Sequence, residues 1–189
     1  ENNPEEEDAG TREIYFSREI YIEREDFKEE ANKKFFRLKL GSEVRLKSAY
    51  IIKAESVDKD ENGEITTIYA TYDALSKSGS GTEESLRKVK GTLHWVSAKH
   101  ATPVDIRIYD RLFTTAQPDA EKEIDFMEYI NPESLKTVQG FAEPSLKDAE
   151  IGENHQFQRI GYFTKDRDST AEKLVFNRTV TLKDGYKPE

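Results

Sequence analysis

Between Asn32 and Lys53 the chain reads NKKFFRLKLGSEVRLKSAYIIK, seven cations against one acid, with Phe35, Phe36 and Tyr50 set among them. Lysine and arginine neutralise phosphates, and flat rings receive unstacked bases at about 1–3 kcal/mol each. The mixture therefore suits single-stranded RNA better than a duplex. It also fits a solvated strand face lying over core aromatics. A second group, His155-Gln156-Phe157-Gln158-Arg159, joins amides that donate and accept to a planar guanidinium, the groups that read a base edge. Strand alternation sets His155, Phe157 and Arg159 on one side and Gln156 and Gln158 on the other.

Other chemistry finds less support. Asp58 to Ile65 (DKDENGEI) follows the first eight positions of an EF-hand calcium loop, but Tyr69 stands where a bidentate Glu must close the shell. It reads instead as a solvated hairpin turn. His94, His100 and His155 are the three histidines, and neither a helical i, i+4 pair nor a cysteine partner is available for a tetrahedral metal site. With no cysteine there are no disulfides and no thiolate chemistry, which agrees with a reducing compartment. The G-x-S-x-G, G-x-x-x-x-G-K-[ST] and G-x-G-x-x-G patterns are absent, and acid pairs such as Asp105 and Asp110 are unremarkable among 38 carboxylates. No catalytic residue, metal ligand or cofactor site is expected in these 189 residues.

The charge map sharpens the first candidate. The net charge of −9 opposes phosphate binding on average, but residues 1–31 carry −8, residues 32–115 carry +4 and residues 116–189 carry −5. A basic island in an acidic chain is an electrostatic footprint. No apolar run approaches the roughly 20 residues that span a bilayer, and the acidic start is unlike a signal peptide, so a cytoplasmic protein is expected. The chain begins at Glu1 rather than Met, as a segment of a longer protein would.

Elements that could position these residues are mostly strands. Alternating or β-branched runs occur at 19–24, 43–57, 64–73, 90–98, 104–113, 134–141, 155–165 and 173–182. The run at 43–57 slips by one residue near Ser48, which predicts a bulge in one long strand that keeps Arg45 and Lys47 on a common face. Asn62-Gly63 predicts a two-residue hairpin turn. Lys77 to Ser85 reads as a flexible loop, Asp26 to Lys34 as a short helix capped by Asp26, and Gln117 to Asn131 as a weaker helix. The expected fold is all-β, two small antiparallel β-barrels with one or two short connecting helices. The polar, acidic 1–10 reads as a flexible lead, and the basic block invites a middle barrel at 32–115 inserted between 11–31 and 116–189, the two halves of an outer one.

Longer runs bring a family into view. VKGTLHWVSAKHATPVDIRIYDRLF at 89–113, INPESLKTVQGFAEPSLKDA at 130–149 and STAEKLVFNRTVTLKDG at 169–185 resemble the C-terminal anticodon-binding region of the glutaminyl-tRNA synthetases, as does TREIYFSREIYIEREDF at 11–27. The resemblance implies two β-barrels, the inserted distal one and the outer proximal one, that grip the anticodon loop of tRNA(Gln). By it, Arg37 reads the third anticodon base, Arg45 engages the first base and its phosphate with Lys47 beside it, and Gln156 and Arg159 read the central uridine. Lys34 and Phe36 depart from the family pattern, which has Gln and Lys there; Lys34 and Phe36 remain candidates, the latter offering a ring to a base. The ATP-using catalytic domain would lie upstream in the same chain, with the whole a cytoplasmic monomer. The rivals are the related glutamate-specific synthetase and a protein-docking barrel with no RNA role.

Overall fold

The computed structural model describes residues 2–3 and 5–182. The chain divides into two compact units, one spanning Tyr15–Lys99 and one made of the residues up to Ile14 together with those from His100. We call them the inserted and the split unit.

The inserted unit holds eight strands: β1 (Ile20–Tyr21), β2 (Phe27–Lys28), β3 (Leu38–Lys39), β4 (Glu43–Leu46), β5 (Ile51–Lys59), β6 (Ile65–Asp73), β7 (Thr92–Leu93) and β8 (Val96–Ser97). Its main sheet runs β6-β5-β4-β7, and short ladders join β1 to β8 and β2 to β3. The alternation read from sequence is visible in β4, where Val44 and Leu46 are buried while Arg45 is only half-buried. They pack with Phe27, Leu38, Ala49, Ile52, Ala54, Leu93 and Trp95 into one core. Each fully buried leucine there contributes about 1.5–3 kcal/mol.

Three local expectations are corrected in this unit. Ser48 is not a bulge: the chain reverses there, with Ser48 at φ 56° and the Leu46 N–H donating to the Tyr50 carbonyl at 2.8 Å. A bulge and a tight turn both shift the hydrophobic alternation by one residue, and a serine in the left-handed position hides the turn. The segment 26–34 is not helical. Phe27 is buried and pairs with Leu38 in a parallel ladder, and the buried Asp26 carboxylate meets Arg37 instead of capping a helix. A single apolar anchor gave that segment no stripe to bury, so tertiary pairing prevailed over propensity. Finally, the β5–β6 hairpin forms where expected, but Gly63 alone is left-handed (φ 81°). The Gly63 N–H donates to Asp60 O at 3.0 Å and the Asp60 N–H to Glu64 O at 2.9 Å, which makes a three-residue loop.

The split unit holds β9 (Thr102–Tyr109), β10 (Leu135–Ala142), β11 (Asn154–Phe157), β12 (Gly161–Lys165) and β13 (Leu174–Thr181). They form one sheet in the order β10-β9-β13-β12-β11, antiparallel except for β9 beside β13. Val104, Ala142, Phe163, Leu174 and Phe176 make its core. The candidate helix 117–131 reduces to a 3-10 turn at Phe126–Tyr129, capped by Asp125, whose Ile124, Phe126 and Met127 are exposed. The leading residues, expected to be unstructured, close a turn in which the Asn2 N–H donates to Gly10 O at 3.0 Å.

The class is therefore all-β. The charge blocks placed the boundaries near residues 31 and 115, whereas the units divide after Ile14 and after Lys99. Charge follows what a surface can attract; pairing decides membership, and β9 pairs with β10 and β13. Among the described residues no helix is long and apolar enough to cross a membrane.

Candidate nucleic-acid interface

In the inserted unit, Asn32 starts a turn. Its Oδ1 accepts from the Lys34 N–H at 2.9 Å, and its carbonyl accepts from the Phe35 N–H at 3.1 Å. That turn lifts Lys33 and Lys34 into solvent, and neither ammonium has a partner among the described residues. Phe36 follows with 54% of its surface exposed, and the Lys90 ammonium sits 5.9 Å from its ring centre. Lys47, at the β4–β5 turn, is exposed with its ammonium unpaired among the described residues, while its carbonyl accepts from the Trp95 indole at 3.0 Å. These are cations a phosphate can reach without breaking an existing contact.

The two arginines of this unit are held differently. Arg37 donates to the Glu25 carbonyl at 3.0 Å and lies 3.3 Å from the Asp26 carboxylate, which is 2% exposed. It partly serves the fold, leaving the rest of its fork available. Arg45 is enclosed. Its Nη1 donates to the Ser76 carbonyl at 2.8 Å and the Ser78 hydroxyl at 3.3 Å, and its Nη2 donates to the carbonyls of Ser85 at 3.0 Å and Arg87 at 3.1 Å. The expected flexible loop 77–85 is thus a built segment, with a helical turn α1 (Glu83–Leu86) capped by Thr82 and Arg87 paired to Glu43 and Asp73. In this structure, Arg45 fastens a loop rather than facing solvent beside Lys47.

In the split unit, β11 and β12 form a hairpin with His155 opposite Phe163 and Gln156 opposite Tyr162. Phe163 is fully buried and stacks on Phe157 at 4.2 Å, so this side faces the core. Gln156 and the exposed Tyr162 share the outer face, as alternation predicted for Gln156. Arg159 is not on that strand. The Ile160 N–H donates to Phe157 O at 2.9 Å, closing a turn in which Arg159 takes φ 65°. A left-handed arginine costs about 1–2 kcal/mol. Gln158 turns inward, its Oε1 buried without a hydrogen-bond partner among the described residues. The turn re-aims both residues that simple alternation had assigned.

Two other cations of this unit are already engaged. Arg107 lies 2.7 Å from Asp168 and 3.4 Å from Asp166. The Asp168 backbone N–H, then the Asn177 amide, hold the Asp166 carboxyl below its usual range, so it stays ionised to pair with Arg107. Lys165 donates to the Ala149 carbonyl at 2.6 Å. The calcium-like run Asp58–Ile65 spends a carboxylate on its own turn, since Asp60 Oδ1 accepts from the Asn62 and Glu64 N–H groups, each at 2.9 Å. Among the described residues no group of three or more histidines, cysteines or acids could hold a metal ion.

Each unit thus presents hydrogen-bonding or cationic side chains on strands and turns. Residues 1–73 and 92–166 each match the sequence profile of tRNA synthetases class I (E and Q), anti-codon binding domain. The chain belongs to this family. The glutamine–tRNA ligase of Proteus mirabilis (strain HI4320) is 60% identical over 185 residues, covering 98% of this chain and 33% of that protein. The glutamine–tRNA ligases of Escherichia coli O1:K1 / APEC and Shigella boydii serotype 18 are 59% identical over 186 residues, with the same shares of 98% and 33%. The chain spans about a third of the length of these relatives. In this anticodon-binding chain, Lys34, Phe36, Arg37, Arg45 and Lys47 fall in the first matched stretch and Gln156 and Arg159 in the second. Tyr162, opposite Gln156, and Lys90, beside the Phe36 ring, adjoin the candidate residues and were not singled out from the sequence.

Proposed function

We propose that this chain is the anticodon-binding part of a glutamine–tRNA ligase, and that its side chains hold the anticodon loop of tRNA(Gln). The observation that carries the reading is identity of 60% over 185 residues, 98% of this chain. Exposed Lys34 and Lys47 take phosphates; Arg37, Gln156 and Arg159 read base edges. The ATP-dependent joining of glutamine to tRNA belongs to the remaining two-thirds of such a ligase, a cytoplasmic monomer whose catalytic domain lies in the same chain.

Titrating the full 189-residue chain with the anticodon stem-loop of tRNA(Gln) over a salt series tests this. The logarithm of the association constant should fall with the logarithm of salt by about 0.7 for each phosphate contact. Gln156→Ala should relax discrimination at the middle anticodon base by about 1–3 kcal/mol and leave that slope unchanged. Equal binding of stem-loops that differ only in anticodon would refute base reading and leave a charge-only docking surface. Tighter binding of the tRNA(Glu) loop than of the tRNA(Gln) loop would assign the chain to a glutamate enzyme.

A further inference from the structure

We propose that Phe36 is a stacking platform for an unpaired nucleobase, contributing affinity without choosing among the four bases. This rests on the RNA-binding reading above. Phe36 exposes 54% of its surface, yet the backbone on both sides is pinned. Upstream lies the Asn32 turn. Downstream, Arg37 is tied to Glu25 and Asp26, and Leu38 is 1% exposed in the core. The Phe36 carbonyl itself lies against Gly91, where even a Cβ would collide with it. The ring is therefore presented at the surface on a well-held backbone.

What surrounds the ring selects its occupant. The Lys90 ammonium stands 5.9 Å from the ring centre, and Lys33 and Lys34 precede it on the turn with unpaired ammonium groups among the described residues. An acidic peptide would use the cations but leave the ring in water. A nucleotide uses both, its phosphate meeting the lysines and its base meeting the ring. Stacking needs only a π-face, which every base has, whereas edge contacts such as those of Gln156 choose between bases. The site thus adds strength at one loop position while specificity is set elsewhere.

The test is a cycle of protein and RNA changes with the full chain. Phe36→Ala should weaken binding of the anticodon stem-loop between about fivefold and a hundredfold. Phe36→Trp should keep affinity, and Phe36→Leu, which preserves apolar bulk, should lose most of it. Replacing loop nucleotides one at a time with abasic sugars should reveal one position at which Phe36→Ala no longer matters. The salt slope should be unchanged by Phe36→Ala and shallower in Lys34→Ala. Two outcomes overturn the proposal: Phe36→Ala within twofold of the parent, or a loss that persists with every abasic loop. A parent chain that binds no stem-loop at all fails the RNA-binding reading instead, and the two failures are told apart by that control.

Discussion

Gly91→Ala will destabilise the inserted unit by roughly 3 kcal/mol or more, lowering its melting temperature by on the order of 10 °C or beyond. Gly91 has φ 108°, a conformation that costs an L-residue about 1–2 kcal/mol on its own. A methyl group there also meets the Phe36 carbonyl oxygen, a backbone atom that cannot rotate away. Relief would require moving either the Phe36 segment or the start of β7, and the Arg45 N–H donates to the Gly91 carbonyl at 3.1 Å, so β4 would be disturbed too. Gly81→Ala is the internal control. It has φ 80° with open space around the missing Cβ, so it should show only the backbone cost. Thermal unfolding followed by circular dichroism measures both, and equal melting temperatures would show that the close approach is absent in solution.

The contrast between these glycines explains what a sequence can reveal here. Alternating or β-branched runs at 43–57, 64–73 and 173–182 located strands because that composition is written locally; burial alternates in β4, whereas β13 buries Leu174, Val175 and Phe176 in succession and β6 has no buried residue. Turns were harder. Asn62-Gly63 carries the residues that left-handed turns prefer, so the hairpin was legible; Ser48 and Arg159 occupy the same backbone region without the preferred residues, so both reversals were read as strand. The helix expected at 26–34 failed because Phe27 and Asp26 are claimed by Leu38 and Arg37, contacts that no local window contains.

The candidate site divides the same way. Gln156 was legible because a polar residue alternating with Phe157 on a strand has only one face to occupy. Arg45 satisfied the same rule, yet its fate was decided by carbonyls 31 to 42 residues further on. A serine- and glycine-rich stretch looks featureless in sequence because its backbone supplies three of the four acceptors.

That enclosure makes Arg45→Ala the variant with the largest combined effect on structure and binding. Four acceptors lose a charged donor together, and with the guanidinium only half-buried the loss is about 2–4 kcal/mol, borne mainly by the segment from Ser76 to Arg87. Amide hydrogen exchange should accelerate through Ser76–Arg87, and RNA affinity should fall as that segment loosens. The carbonyls neutralise none of the arginine's charge, so Arg45 still adds to the local positive potential while its Nη1 and Nη2 groups are engaged by protein acceptors. The salt slope of RNA binding should therefore remain close to that of the parent, apart from this diffuse contribution. Arg45→Lys should fail to restore slow exchange, because a single ammonium cannot span acceptors arranged for a planar fork. If instead the slope becomes shallower by about 0.7 while exchange in the loop is unchanged, the guanidinium leaves its carbonyls for a phosphate when RNA arrives, and the direct role implied by the family resemblance is the correct one.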